Sequence, residues 1–192
     1  EFAASMDDLL KHRGGEINVL SIAAGSSRGI MEVVSRLNGR GNNRNNRIRL
    51  QMVDVNKEAL EDGKNLVDEL GIKEAVEFTR ATYANYRRYL PEGYTLDFAE
   101  IVGLFDYLPS DRIEELLHAL RGRLSVGGVI LYSNIAPNGE KDFTHNVVGW
   151  PEMHYRTANV LTGFAEKAGF NSENVKVIRE PLGIYNIVLA KK

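Results

Sequence analysis

The chain contains no cysteine. That excludes disulfides, thiolate metal sites and a cysteine nucleophile, and it points to a reducing compartment, so the cytoplasm is the expected location. No stretch of about 18 apolar residues occurs, so no membrane span is expected. Charge of one sign is also missing: 24 Lys and Arg face 26 Asp and Glu, for a formal net charge of -2. That balance argues against nucleic acid as a partner. The opening Glu1-Phe2-Ala3-Ala4-Ser5 lacks the charged and apolar regions of a secretion signal. Residues 1–15 read as an N-terminal extension or cloning remnant. The first residue is not Met, so further domains outside this stretch are expected. Spacings such as His-x-x-x-His are absent, and no metal is expected.

What is present suits one globular domain over residues 16–192. Apolar residues make up 43% of the 192 and charged residues 26%, enough to build and solubilise a core. Residues 17–23 read as a buried strand, and residues 28–38 place Ile30, Val33, Val34 and Leu37 at helical spacing. Residues 48–54 alternate as a second strand. A helix follows over 57–70, with Leu60, Gly63, Val67 and Leu70 on one side, and then a short third strand at 75–79. A fourth strand spans 97–104. The next helix covers about 111–123, with Asp111 and Glu114 as a candidate capping box. Gly127-Gly128 reads as a turn into a fifth strand at 129–133. A helix at about 157–168 and strands at 174–179 and 184–190 complete the pattern. Alternating strands and helices imply an α/β sheet, Rossmann-like and mostly parallel, with helices on both faces. Only four residues, Glu180–Gly183, separate the last two strands. That is too short for a parallel crossover, so they should form an antiparallel hairpin.

Two stretches break the rhythm. Residues 38–47 are polar and rich in Gly, Asn and Arg, and read mainly as a surface loop; a phosphate-touching basic finger is the alternative. Residues 134–155 form a long connection, and long connections in compact domains are often functional.

The sharpest chemical feature is a strand, a small-residue turn and a helix over Ser21-Ile22-Ala23-Ala24-Gly25-Ser26-Ser27-Arg28. Small side chains let a ligand approach the backbone, and the helix start offers unpaired N–H groups. The second strand ends in Asp54-Val55. An acid at that place can take both hydroxyls of a ribose. A turn or cap role is the plainer alternative for Asp54.

These segments, together with Gly103-Leu104-Phe105-Asp106-Tyr107-Leu108 and Leu124-Ser125-Val126-Gly127-Gly128, resemble class I S-adenosylmethionine-dependent methyltransferases over residues 17–190. Within that superfamily, residues 103–108 and Tyr155-Arg156-Thr157 are similar to a bacterial subgroup often fused to cyclic-nucleotide-binding domains. The resemblance implies a seven-stranded sheet closed by the antiparallel hairpin, with S-adenosylmethionine as cofactor. By position it puts Ala23, Ala24 and Gly25 under the methionine part, with Ser21, Ser26 and Arg28 as further cofactor contacts, Asp54 at the ribose, Val55 and Thr82 at adenine, and Gly103, Leu104, Phe105 and Asp106 beside methionine and acceptor. Three positions depart from the family pattern. Ser21 stands for the usual acid of the first strand, Ala23 for the first glycine of the turn, and Thr82 for the adenine-contacting acid.

Methyl transfer from a sulfonium needs alignment and exclusion of water. A base is required only where the acceptor starts protonated. His145 and His154 are the candidate bases, and Tyr107 the third candidate catalytic group. Trp150, Tyr155 and Arg156 are the candidate substrate contacts, the rings as walls and Arg156 as a carboxylate partner. The leading expectation is an enzyme acting on a small-molecule or lipid-like acceptor. Alternatives are an RNA or protein methyltransferase, a non-catalytic nucleoside-binding or partner-binding module, and a dinucleotide oxidoreductase. The last is disfavoured by the lack of Gly-x-Gly-x-x-Gly.

Overall fold

The computed structural model describes residues 15–39, 47–139, 146–149 and 151–192. Strands and helices alternate in the order β1 (Glu16–Ile22), α1 (Arg28–Gly39), β2 (Arg47–Asp54), α2 (Lys57–Leu70), β3 (Val76–Arg80), β4 (Leu96–Ile101), α3 (Ser110–Arg123), β5 (Leu124–Ile135), α4 (Ala158–Lys167), β6 (Val175–Arg179) and β7 (Tyr185–Lys191). The seven strands form one sheet in the order β3-β2-β1-β4-β5-β7-β6. The sequence reverses its direction of travel between β1 and β4. In sheets of this kind ligands collect at that switch point, beyond the carboxyl ends of the strands. The expected closing hairpin is present: β6 and β7 pair antiparallel, with Val177 opposite Val188. Glu180 fastens the connection by accepting from the backbone N–H groups of Leu182, Ile184 and Tyr185.

The chain divides into two compact units. One runs up to Glu100 and includes Arg123–Val129; the other comprises Ile101–Gly122 and Ile130–Lys192. In the first unit, β1 pairs parallel with β2 and β2 with β3. The register sets Ile22 beside Val53, so both strands end at one level and their loops start together. Helix α1 buries Ile30, Met31 and Val34. Val33 and Leu37, expected in its stripe, are only half-buried. Helix α2 starts at the Asn56 cap, whose side chain accepts from the N–H groups of Glu58 and Ala59. It buries Leu60, Gly63, Leu66 and Val67. Gly63 is required there, since a Cβ would stand 2.8 Å from the Phe78 ring.

Three boundaries differ from the sequence reading. Strand β4 stops at Ile101 rather than 104, because Gly103 takes φ +79° and residues Phe105–Tyr107 coil into a 3-10 turn. Gly127 and Gly128 lie inside β5 rather than in a turn before it. A Cβ on Gly128 would come within 3.0 Å of the Ser125 carbonyl and 3.2 Å of that of Leu96, so the glycine allows close passage of neighbouring backbone. Helix α3 begins at Ser110, which puts Asp111 in the first turn and not at the cap. Glu114 does not close a capping box; its carboxylate accepts from Lys167 at 2.6 Å.

Candidate functional site

The turn after β1 is built from unusual backbone. Ala23 adopts φ +56°, Gly25 +55° and Ser27 +34°. For residues carrying a Cβ this region costs about 1–2 kcal/mol each, so other contacts must hold the turn in place. The Gly25 N–H donates to Asp54 Oδ2 at 2.8 Å. The Ala24 N–H donates to the Val53 carbonyl at 3.2 Å, and the Ser27 hydroxyl bonds back to the Ala24 carbonyl. The other oxygen of Asp54 accepts from the Asn56 N–H at 2.8 Å. Asp54 therefore braces the turn from the neighbouring strand, and a carboxylate with two such bonds still has two acceptor sites free. Beyond Gly25 the space is open: no atom lies within 4 Å of where its Cβ would be.

Val55, next to Asp54, leaves 55% of its surface to solvent, an apolar face available to a flat ring. Thr82 is exposed and its hydroxyl donates to Asn85 Oδ1 at 2.9 Å. It acts locally in the turn before residues Tyr86–Tyr89. Ser26 is exposed, while Arg28 extends to Glu32 at 3.3 Å and Glu69 at 3.9 Å. Ser21 is buried, and its hydroxyl donates to Glu100 Oε2 at 2.8 Å. Glu100 was not singled out from the sequence. It lies in β4, 79 positions from Ser21, and nothing in its immediate neighbourhood marks it.

Burial pushes the Glu100 carboxyl above the usual range, and the Ser21 hydroxyl offsets part of the rise. An acid whose pKa is raised by folding adds stability that is fully present below its unfolded value and lost as pH rises through the folded one. Glu100→Gln removes that dependence. Its melting temperature should match wild type near about pH 4 and exceed it at neutral pH, by about 2–4 °C per kcal/mol relieved. Melting curves across that range provide the check, and a constant difference at all pH values would contradict it.

In the second unit, the segment after β4 is held by a buried polar knot. Arg156 is 6% exposed. Its guanidinium donates to the carbonyls of Phe105 (2.7 Å) and Leu108 (2.6 Å) and to Asn134 Oδ1 (2.7 Å). Asp106 is buried too, with Oδ1 accepting from the Ile135 N–H at 2.6 Å. Burial raises its pKa, while that bond and the Arg156 charge pull the other way. Phe105 is fully enclosed, packing its ring 5.3 Å from that of Tyr132. Arg156 and Phe105 thus do interior work, and the surface of this segment is Gly103, half-buried Leu104 and Tyr107, which is 45% exposed. His154 is clamped through its backbone: its N–H donates to the Asp106 carbonyl (2.7 Å) and its carbonyl accepts from Asn134 Nδ2 (2.7 Å). The imidazole side remains exposed. Tyr185, not singled out from sequence, has its hydroxyl pKa raised by burial first and then by Asp106, Tyr107 and Tyr155, so these four groups lie within electrostatic reach of one another. His145, Trp150 and most of the 38–47 loop lie outside the described residues.

A seven-stranded Rossmann-like sheet with a strained small-residue turn at its switch point defines a doubly wound α/β protein closed by an antiparallel hairpin. A family model described as "Putative methyltransferase" (Methyltransf_20) matches residues 2–192, and the chain belongs to that methyltransferase family. Similar solved structures include a possible exported protein from Bordetella parapertussis, with TM-score 0.78, 17% identity, and 98% of this chain and 66% of that one covered. An O-methyltransferase family protein from Burkholderia thailandensis gives TM-score 0.69 and 16% identity over 100% of this chain and 56% of that one. Magnesium protoporphyrin IX methyltransferase from Synechocystis PCC 6803, with bound SAH, gives 0.70 and 10%, covering 100% and 80%. The chain thus spans about half to two thirds of the length of the first structures it matches. No curated protein matches it.

Proposed function

We propose that the chain is an S-adenosylmethionine-dependent methyltransferase domain acting on an oxygen of a small-molecule acceptor, a carboxylate or a hydroxyl. The observation that carries this reading is the braced turn: Ala23, Gly25 and Ser27 in left-handed backbone, open space over Gly25, and Asp54 fixing the loop with lone pairs to spare. Strained backbone of this kind is a reason to look for function. When bound, S-adenosylmethionine supplies an electrophilic methyl group on a sulfonium. The residues of this chain supply the holding. The turn offers backbone and the start of α1 to a carboxylate, Asp54 offers acceptor oxygens to ribose hydroxyls, and exposed Val55 offers an apolar face to adenine. Tyr107, Tyr155 and Tyr185 are the candidate aromatic groups for the acceptor, with His154 the candidate base where the acceptor is a hydroxyl. A carboxylate acceptor needs no base. The likeness to an O-methyltransferase family protein supports an oxygen acceptor.

Calorimetric titration with S-adenosylmethionine and S-adenosylhomocysteine tests the cofactor assignment. Micromolar binding of either is the expected outcome, and binding of neither would end the proposal. Within that test, Asp54→Ala should weaken binding by about 1.5–3 kcal/mol, through loss of charge-assisted hydrogen bonds. Because Asp54 also braces Gly25, a small drop in melting temperature should accompany it. An unchanged dissociation constant would remove Asp54 from the ribose site.

A further inference from the structure

Backbone hydrogen bonds draw four segments of the second unit together. The Ile135 N–H at the end of β5 donates to Asp106 Oδ1 at 2.6 Å, the His154 N–H to the Asp106 carbonyl at 2.7 Å, and the Ala136 N–H to the Ile184 carbonyl at 2.7 Å. The segment after β4, the end of β5, the return of the long connection and the start of β7 therefore meet. Tyr107, His154, Tyr155 and Tyr185 come with them. Tyr107 and His154 are exposed, and Tyr155 and Tyr185 are half-buried. Such a group offers flat apolar ring faces edged by hydroxyl groups.

What these segments lack is an uncommitted cation. Arg156, the carboxylate partner expected from sequence, is buried, spends its hydrogen bonds on Phe105, Leu108 and Asn134, and lies 5.6 Å over the Phe164 ring. Arg179, the last residue of β6, spends Nε and Nη2 on the Gly183 carbonyl. Arg112, in the first turn of α3, pairs with Glu115 at 2.8 Å. Among the described residues, no other Lys or Arg stands on the connections leaving β4, β5 and β6. A carboxylate drawn out of water needs a cation and hydrogen bonds in place of solvent. An uncharged hydroxyl needs only hydrogen-bond partners, and a phenol or an imidazole can supply them. Burial raises the pKa of Tyr107 and of Tyr185, so both stay protonated and neutral at physiological pH.

We propose that these segments recognise an uncharged aromatic hydroxyl compound, a phenol, in preference to a carboxylate, with Tyr185 as the specificity-determining residue. The inference rests on the methyl-acceptor reading given under the proposed function and decides between its two acceptor oxygens. The ring of the acceptor lies among the three tyrosine rings, and its hydroxyl bonds to the Tyr185 hydroxyl and the His154 imidazole. Tyr185 is assigned the selecting role because it is half-buried, at the start of a strand whose preceding residue is tied to Ala136, whereas Tyr107 is 45% exposed and holds its hydroxyl less firmly.

The test is a probe and mutant cycle read by calorimetry at neutral pH. The probes are para-phenylphenol, which is uncharged, and para-phenylbenzoate, which has the same rings and a carboxylate. The proteins are wild type, Tyr185→Phe and Tyr107→Lys, each first titrated with S-adenosylhomocysteine and then held saturated with it. Wild type should prefer the phenol by at least about tenfold. Tyr185→Phe keeps the ring and removes the hydroxyl, and should narrow that preference by weakening the phenol alone. Tyr107→Lys supplies the missing cation at an exposed position, and should narrow it by strengthening the carboxylate; it gives a second reading should the phenylalanine variant fold poorly. Equal or tighter binding of the carboxylate by wild type, or no binding of the phenol, would overturn the inference while S-adenosylhomocysteine binding leaves the cofactor assignment standing. A wild type that fails to bind S-adenosylhomocysteine would overturn the cofactor reading, and this inference with it.

Discussion

Arg156→Ala should lower the stability of the protein by about 3–5 kcal/mol, the range for removing one member of a buried charged network. Three acceptors depend on its guanidinium: the carbonyls of Phe105 and Leu108, and Asn134 Oδ1. Each would lose its partner in a place water does not reach, at about 1–3 kcal/mol apiece. Asp106, buried nearby, would lose the positive charge that favours its ionised form. The segment 103–108 should loosen first, since two of the three bonds end on it. Arg156→Lys should recover only part of the loss, because an ammonium does not reproduce the planar fork that spans acceptors in different directions. Urea unfolding measures both variants. A loss below about 1 kcal/mol for the alanine variant would show that these bonds are replaced by others. A loss of stability with unchanged affinity for a carboxylate acceptor would separate bracing from substrate binding at this residue.

Gly25→Val should abolish cofactor binding, by more than about a hundredfold, or close to 3 kcal/mol. The open space beyond Gly25 is where a ligand lies against the backbone, and a branched side chain would occupy it. The fold should survive at a cost of about 1–2 kcal/mol, because φ of +55° is unfavourable for a β-branched residue even with room for its atoms. Gly25→Ala is the graded control, with one methyl group and a smaller loss of affinity. Calorimetry and a melting curve on the same samples separate the two effects. Unimpaired binding by the valine variant would move the site away from this turn.

Much of the architecture was legible because it is written in local periodicity. The β1 turn, helices α1 and α2, and the antiparallel β6–β7 hairpin follow from apolar spacing, from small residues after a buried strand, and from a connection too short for a crossover. Boundaries were less legible where glycine has two uses. Gly127 and Gly128 read as a turn from sequence, yet they continue β5, since a glycine also serves where one strand's backbone crowds another's. The end of β4 was placed too late because apolar residues 102–105 look like strand, and only the backbone of Gly103 and the following 3-10 turn ends it.

At the candidate site, residues contiguous in sequence were identified and residues brought in from afar were not. Asp54 was read as a ribose holder from its place after β2. Its present bonds to Gly25 and Asn56, and so its part in shaping the turn, depend on a neighbour 29 positions away. Arg156 was read as a substrate contact because a guanidinium can hold a carboxylate by two bonds, whereas packing has drawn it inward onto carbonyls. Glu100 and Tyr185 were passed over, since one sits in an apolar strand and the other follows a hairpin. Sequence by itself determined the order and kind of elements, the small-residue turn and the absence of thiol chemistry, because these depend on near neighbours and composition. Only the tertiary structure decided which polar groups are buried together and which stay open to a ligand. Desolvation and hydrogen-bond saturation are properties of the three-dimensional surroundings, and groups 79 positions apart share them only after the sheet has formed.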